Sequence, residues 1–507
     1  MEGRLYLPVA VALVLAACAP QDLPPYGGVL VVVDTDLDAP RLVSRFRVDV
    51  YAEDGTWLDS RDVVRRDRGD WPVSFSVFSE AAGTRAVRVR LRAYADGKER
   101  DYRGERYEPL APLDAPPSWV AGQTAVVDDR RLVRQGVDVT PPTEPRPETA
   151  IDRLVRVPVT DGVRGTVRVV LRGVCAGTMA DLANDRTCVD TESTLVSVEK
   201  SPIDPDLTLP TTTRSGTFGR VDPPTRAPRP TSPLHDEEVA VVGGAFFLGE
   251  TSDYGTSVLV GQEVSTHPER LVVVQSLLVD RYEVSVARWR AALARGFAPP
   301  VAPRENDGPL PTESGTAEEL QFCTYSRKPL GREEYPINCV SYESARAFCK
   351  FFGGDLPTET QWEYVAAISG RATETDYAWG ASDPDCAGMI YARFDSTDQG
   401  DQFCVLSGQP FGVQPVTSGP LDETPSGVHG LGGNVSEIAR GTFRPYGSAC
   451  WRRSSLFDAG CDDATAPYRV ARGGQWVGFN LRAVERSPIE ESGYVNLGFR
   501  CVRKGDP

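Results

Sequence analysis

Between Gly28 and about Val198 the apolar residues come in short runs, some continuous and some alternating with polar ones. Val29-Leu30-Val31-Val32-Val33 is continuous, whereas Phe46-Arg47-Val48-Asp49-Val50-Tyr51 and Val87-Arg88-Val89-Arg90-Leu91-Arg92 alternate. A period of two is that of a strand with one face turned inward. Gly and Asp punctuation, as at Glu53-Asp54-Gly55, marks tight turns between antiparallel neighbours, and Thr166-Val167-Arg168-Val169-Val170-Leu171 continues the pattern. The C-terminal half has a different texture, because helical spacing appears in it. Ser285 can cap a helix whose Val286, Trp289, Ala292 and Leu293 share a face, with Gly296 near its stop. A second helix follows Ser341, with Ala345, Phe348, Cys349 and Phe352 at three- and four-residue spacing, and ends at Gly353-Gly354. A third opens on Thr358-Glu359-Thr360-Gln361, a capping-box pattern, and buries Trp362, Val365 and Ala366. Short strands, glycine turns and scattered aromatics follow.

These patterns predict a multi-domain chain: an all-β N-terminal half built as an immunoglobulin-like sandwich of one or two modules, and an α+β C-terminal domain with much irregular structure. Two Pro-rich stretches punctuate it, 140–149 and 220–235, the second containing Asp222-Pro223-Pro224-Thr225-Arg226-Ala227-Pro228-Arg229-Pro230. Such segments favour extended polyproline geometry and exclude helix or central strand. The division that follows is a leader over 1–18, a β-sandwich module over 19–139, a Pro-rich break and further β segment over 140–218, a Pro-rich linker over 219–237 and a C-terminal domain over 238–507. Asp34-x-Asp36-x-Asp38 opens like a calcium loop, but Ala39 stands where the sharp-turn glycine belongs and Arg45 where the bidentate glutamate belongs.

Charge and the N-terminus narrow the function classes. The 507 residues carry a formal net charge of -16, which on average repels nucleic acid and anionic lipid surfaces and leaves no nucleic-acid partner. All but five of the 55 basic residues are Arg, which suits bidentate pairing with carboxylates but equally reflects a GC-rich coding bias. Arg4 followed by an apolar run from Leu5 to Leu15 is too short to span a bilayer and reads as a secretory leader. Leu15-Ala16-Ala17-Cys18 resembles the lipobox of bacterial lipoproteins, which implies acylation of Cys18 as a membrane anchor, and Ala19 after it implies sorting to the outer membrane. Removing Cys18 leaves ten cysteines, an even number in an oxidising compartment, where disulfides are the default. Spacing leaves the connectivity open. Cys175/Cys188, Cys386/Cys404 and Cys450/Cys461 each flank a short loop, while zinc is disfavoured by the lack of any Cys-x-x-Cys and by three distant histidines.

Eight motifs of the C-terminal half then fall in a familiar order: Val242-Gly243-Gly244-Ala245-Phe246-Phe247-Leu248-Gly249, Val279-Asp280-Arg281-Tyr282-Glu283-Val284-Ser285, Pro336-Ile337-Asn338-Cys339-Val340-Ser341-Tyr342, Leu356-Pro357-Thr358-Glu359 with Trp362-Glu363-Tyr364, Trp379-Gly380, Gly433-Asn434-Val435 with Glu437, Arg472-Gly473-Gly474 and Gly498-Phe499-Arg500. From about Val239 to Arg503 the chain resembles the formylglycine-generating enzyme, or sulfatase-modifying factor, family. The resemblance implies that family's variant of the C-type lectin-like fold and a disulfide between Cys349 and Cys501. It also implies a chemistry to look for: catalytic members oxidise a sulfatase cysteine with molecular oxygen and a copper(I) ion held by two cysteines shortly after the Arg-Gly-Gly motif. Here the stretch from Gln475 to Ser487 contains no cysteine, which argues against copper and leaves no catalytic residue to assign. The histidines and helical bundle of the iron-dependent relatives are missing as well.

The resemblance places calcium just before Asn434, where Gly430 occupies the side-chain position and Leu431, Gly433 and Val435 offer carbonyls, with Asn434 and Glu437 as turn and ion-pair residues; the acidic loop from Asp395 to Asp401 is an alternative cage or simply solvated charge. Arg472, Arg482, Arg486 and Arg500 recur at family positions. With Trp476 and Trp379 they either line a cleft for an acidic or peptide partner or serve as core struts paired with Glu359 and Glu363. The reading is a lipid-anchored cell-envelope protein whose C-terminal domain binds a protein, peptide or glycan ligand. The alternative is an oxidoreductase or protein-modifying enzyme of the same family with altered chemistry.

Overall fold

A computed structural model describes residues 27–55, 57–79, 83–101, 112–113, 131–134, 137–138, 143–250, 259–260, 263–313, 319–393 and 404–506. Cys18 and the acidic loop 395–401 lie outside the described residues. Among the described residues no helix is long and apolar enough to cross a membrane.

Seven strands organise the N-terminal half: β1 (Gly27–Thr35), β2 (Arg45–Ala52), β3 (Trp57–Val64), β4 (Val73–Ser79), β5 (Thr84–Tyr94), β6 (Ile151–Thr160) and β7 (Arg164–Leu171). They form two sheets, ordered β7-β1-β4 and β6-β5-β2-β3, which share one core through Val29, Val31, Val33, Phe46, Val89, Leu91, Val157 and Val169. Two expectations are corrected. The β1–β7 pair is parallel, with Val31 opposite Val167, rather than antiparallel. Val31, Val32 and Val33 are all buried while Leu30 and Asp34 keep partial exposure, so the unbroken apolar run marks a central strand covered on both faces at its middle. The boundary near 140 also falls inside a single unit, because β6 and β7 complete the sheets begun by β5 and β1.

Alternation in β5 has a further consequence. Val89, Leu91 and Ala93 face the core, and Arg90 and Arg92 face away from it, yet both arginines are buried. Arg90 pairs with Asp152 at 2.6 Å and Arg92 with Asp49 at 2.7 Å, while Arg47 reaches Asp49 at 3.1 Å. Burial raises the cost of the Asp49 charge, but Arg47 and Arg92 outweigh it and hold the carboxyl well below its usual range.

The C-terminal half opens with β8 (Glu238–Val241), β9 (Gly244–Leu248), β10 (Arg270–Val274) and β11 (Leu277–Asp280). Its helices stand where the capping signals put them: α1 (Val286–Ala294), α2 (Tyr342–Phe351) and α3 (Glu359–Ala367). Ser285 accepts from the Arg288 N–H and Ser341 from the Ser344 N–H, each at 3.2 Å. Thr358 and Gln361 close their capping box at 3.1 and 2.9 Å. The last strands, β12 (Ser436–Ala439), β13 (Arg469–Arg472), β14 (Arg486–Ile489) and β15 (Leu497–Gly498), make a sheet ordered β14-β13-β12-β15, and β16 (Val502–Lys504) joins β11. Disulfide Cys349–Cys501 ties α2 to the segment before β16, and Cys175–Cys188, Cys323–Cys339, Cys386–Cys404 and Cys450–Cys461 complete the set.

The Pro-rich segment over 219–237 runs against the C-terminal half. The Arg226 N–H donates to the Gly505 carbonyl at 2.9 Å, the Ser276 hydroxyl to the Asp222 carbonyl at 2.6 Å, and Arg229 pairs with Asp280 and Glu238. Ala245, Phe247, Leu271 and Val273 of β9 and β10 belong to the same core as the N-terminal sheets. Lys98 pairs with Glu269 and lies 4.8 Å over the Phe247 ring.

Candidate functional site

Strand register builds the centre of the C-terminal domain. Glu437 on β12 faces Arg472 on β13, which faces Arg486 on β14, so three charged side chains stand in one row across the sheet. Over that row lies α3, whose Glu359, Trp362 and Glu363 share a helical face by their spacing of three and four. Arg486 forks onto both oxygens of Glu359 at 2.6 and 2.7 Å. Arg472 bonds Glu363, whose other oxygen accepts the Gly249 N–H at 2.7 Å, and its guanidinium lies 5.3 Å over the Trp362 ring. Arg500, just before β16, bonds Glu437 at 2.6 Å, and Glu437 also accepts the Trp362 indole N–H at 2.8 Å. The side chains of Arg472, Arg486 and Arg500 are at most 1% exposed. Burial pushes the Glu363 carboxyl up, against the pull of Arg472, and pushes the Tyr446 hydroxyl up as well.

The candidate cleft residues therefore part company. Arg472 and Arg486 are struts of the core, closed off from any ligand. Trp476 is buried and stacks on Phe322 at 5.4 Å between ring centroids. Arg482 sits nearer the surface, held by Glu250 at 2.9 Å and Asp376 at 3.4 Å. Half-buried Trp379 stacks flat on Tyr377 at 4.7 Å. Of the arginines and tryptophans expected to line one cleft, Arg482 and Trp379 retain a solvent-facing portion.

The loop before β12 holds a second group of acids. Asp422 is buried, and both its oxygens accept the Gly432 N–H, at 3.0 and 2.9 Å; burial raises its carboxyl to about 6. Glu283 is fully buried and accepts from the Asn434 side-chain amide at 3.2 Å, while its Oε2 has no hydrogen-bond partner. Burial lifts this carboxyl to about 8, against the pull of Arg500. Gly430 has φ of +71°, and a Cβ there would come within 3.0 Å of the free Glu283 oxygen. Leu431, Gly433 and Val435 follow on the same loop and are buried. Sequence reasoning noted Glu283 as a motif residue and gave it no role, and its neighbours, with Asp280 and Arg281 also charged, did not mark it out. Asn434 takes the turn role foreseen for it, with φ of +62° and side-chain bonds to Glu283 and Gln414.

In the N-terminal half, the Asp34, Asp36 and Asp38 side chains turn to separate partners. Asp34 accepts from Thr213 and Arg214, Asp36 from the Gly173 N–H at 2.6 Å, and Asp38 pairs with Arg68. They tie loops together. Among the described residues no group of three His, Cys, Asp or Glu side chains is placed to hold a metal ion. Every one of the ten cysteines from Cys175 onward is in a disulfide, so the residues present do not fit a copper(I) dithiolate centre.

Among the described residues the C-terminal domain sets four short helices and a small mixed sheet around a buried arginine–glutamate core with its own disulfides, in keeping with the C-type lectin-like fold that the resemblance implies. Residues 224–505 match the model of the sulfatase-modifying factor enzyme 1-like domain, and the chain belongs to that family. It is 30% identical over 180 residues to the inactive C-alpha-formylglycine-generating enzyme 2 of Bos taurus, covering 33% of this chain and 50% of that protein. It is 26% identical over 311 residues to the formylglycine-generating enzyme of Mycobacterium tuberculosis, covering 52% of this chain and 97% of that protein. The chain thus spans about half the length of the bovine relative. The solved structure of PvdO from Pseudomonas aeruginosa aligns with a TM-score of 0.39 at 18% identity, covering 56% of this chain and 99% of that one.

Proposed function

We propose that this is a lipid-anchored protein of the cell envelope, held in the outer membrane through Cys18, whose sulfatase-modifying-factor-like domain binds a protein, peptide or glycan ligand and does not make formylglycine. The N-terminal half is, in this reading, an immunoglobulin-like sandwich that carries the binding domain. The observation that supports it is the disposition of thiols: the stretch 475–487 has none, and the ten cysteines of the folded part are all in disulfides. Soft thiolates are what copper(I) requires, and no other side chain of that stretch replaces them. A ligand would meet the accessible part of the candidate cleft, Arg482 and Trp379.

Calcium belongs to the same proposal as a structural ion. The orphaned oxygen of Glu283 beside Gly430 is an acid a hard cation would take once its proton is displaced, and the carbonyls of Leu431, Gly433 and Val435 are the neutral ligands the resemblance would assign. Its chemistry there is to neutralise a buried carboxylate and fix the loop.

The test incubates the chain with copper(I), oxygen and a peptide containing Cys-x-Pro-x-Arg, with a cysteine-bearing catalytic relative alongside and peptide mass as the readout. No conversion is expected while the relative is active. Conversion overturns the reading and makes the protein an enzyme of altered chemistry. Fatty-acid labelling that persists in Cys18→Ser would remove the anchor from the proposal.

A further inference from the structure

The Cys450–Cys461 disulfide combines a half-buried cysteine in a cavity wall with a closed loop that touches the N-terminal half. Cys450 is half-buried and lines an open cavity of about 710 Å³, whose wall also includes Arg444, Pro445, Ser448, Arg453 and Asp463. Its partner Cys461 is buried, with its Sγ 3.5 Å from the Thr442 hydroxyl. Both cysteines of three of the other disulfides are buried, and in the fourth Cys404 is fully buried while Cys386 is half-buried. A nucleophile entering the cavity therefore meets Cys450 before the buried Cys461, in a wall whose Arg444 is paired with Asp463 and whose Arg453 is matched by Asp462.

The loop that this disulfide closes, 450–461, adds a contact between the two halves at the edge of the core they share through β9 and β10. The Leu456 N–H and the Ser455 hydroxyl both donate to the Glu192 carboxylate, at 2.6 and 3.0 Å. Phe457 meets Phe218 edge-on at 6.3 Å between centroids. On its other side the loop is pinned to β10: the Val273 N–H donates to the Leu456 carbonyl at 2.7 Å and the Asp458 N–H returns to the Val273 carbonyl at 2.8 Å. Glu192 lies four residues beyond Cys188, so the far side of the grip is itself tethered beside a disulfide-closed loop, 175–188. Two small cross-linked loops, one from each half, meet at one carboxylate.

We infer that Cys450–Cys461 is a reducible latch, a site of thiol–disulfide exchange with a dithiol, whose opening loosens the contact between the two halves. In the exchange a thiolate of the dithiol attacks Cys450 Sγ and the S–S bond breaks. The electron pair leaves on Cys461 Sγ, where the Thr442 hydroxyl is placed to hydrogen-bond the thiolate. The second thiol of the reductant then displaces Cys450. The dithiol ends as a disulfide, its two protons pass to the two cysteines, and two electrons have moved. Loop 450–461 loses its covalent closure, and with it the ordering that presents Ser455 and Leu456 to Glu192.

The full chain is treated with graded dithiothreitol, the free thiols are alkylated, and peptide mass identifies them. Cys450 and Cys461 should be labelled at least tenfold faster than any of the other eight disulfide cysteines. Hydrogen–deuterium exchange at that stage should rise together over 450–461 and 188–195, while β1 to β7 stay protected. Earlier labelling of Cys386 and Cys404, or simultaneous labelling of all ten cysteines, overturns the inference, as does faster exchange in 450–461 with 188–195 unchanged. Two variants separate latch from fold. Cys450→Ser/Cys461→Ser should show the raised exchange in both segments without reductant, and Glu192→Ala should raise exchange in both with the disulfide intact. An unchanged Glu192→Ala overturns the coupling even if the double variant does not fold.

Discussion

Arg500→Met is the most informative single change to the core. Arg500 bonds Glu437 at 2.6 Å and donates to four main-chain carbonyls, those of Asp280 at 3.1 Å, Arg281 at 3.0 Å, His429 at 2.7 Å and Gly430 at 3.1 Å. Methionine fills much of the same volume with an unbranched apolar chain, so the packing loss is small and the polar loss is isolated. It leaves Glu437 charged, buried and held only by the Trp362 indole among its side-chain partners. Removing one member of a buried ion pair costs about 3–5 kcal/mol, and each carbonyl left without a donor adds about 1 kcal/mol where water cannot reach it. The Arg281 carbonyl keeps the His429 N–H, so three carbonyls count and the expected loss is about 6–8 kcal/mol, a large part of the stability of a typical domain. Guanidinium denaturation followed by tryptophan fluorescence reads it as a fall in midpoint. Trp362 and Trp451 in the same core supply the probe. Arg500→Lys keeps the charge but not the fork, and belongs between the two. A midpoint for Arg500→Met within the equivalent of about 1 kcal/mol of the unmodified chain would refute the claim that this arginine organises the end of the domain.

Two other outcomes follow from the same geometry. Burial raises the Glu374 carboxyl to about 7, where it accepts the Phe247 N–H at 2.9 Å and lies near Glu269 and Lys98. The folded state thus holds this proton after the unfolded chain has released it, so stability falls as pH rises from about 4.5 to about 7 and levels beyond. Glu374→Gln should gain about 2 kcal/mol at pH 8 and lose that part of the slope, a magnitude set below the full pKa shift because the residue keeps some exposure; parallel melting curves for variant and parent across pH 4.5–8 would refute it. Gly473 has φ of +77°, and a Cβ there would lie 2.4 Å from the Leu431 carbonyl oxygen and 2.8 Å from the Trp362 ring. Gly473→Ala should therefore destabilise by about 2–4 kcal/mol, summing the left-handed penalty and the overpacking, and a melting temperature unchanged within a degree would contradict it.

The legible parts of this protein were those written in local chemistry. Ser285, Ser341 and Thr358 announce three helices because an N-cap hydroxyl has one strong use at that spacing. Gly, Asn and Arg motifs of the C-terminal half carried the family, since eight of them in order constrain a fold far more than any one does. What alternation could not carry was the environment of the polar face: Arg90 and Arg92 read as solvated positions of β5 and turn out to be buried under a layer of carboxylates. Period two gives the direction of a side chain and leaves open what covers it. The parallel pairing of β1 with β7 was hidden for a similar reason, because pairing partners more than a hundred residues apart leave no periodic trace. Glu283 was visible as a letter in a motif, but its orphaned oxygen is a property of three segments that meet only after folding.

The stretch between β13 and β14 shows how this fold holds together without a thiolate pair there. Its bonds to the rest of the domain come from groups other than thiols. The Ala483 carbonyl accepts from Arg472 at 2.8 Å, Arg482 reaches Glu250, the Trp476 N–H donates to the Asn434 carbonyl at 2.8 Å, and Trp476 itself packs on Phe322 and Phe411. A metal site contributes folding energy when its ligands are part of the framework. Here the framework is the row Glu437, Arg472 and Arg486 with α3 above it, and that row is independent of any thiolate. Thiols can be absent from 475–487 without cost to the sheet or to the helix packed on it, because Arg482 and the stacked Tyr377 and Trp379 at the surface of this stretch are fixed by an ion pair with Asp376 and by ring contact.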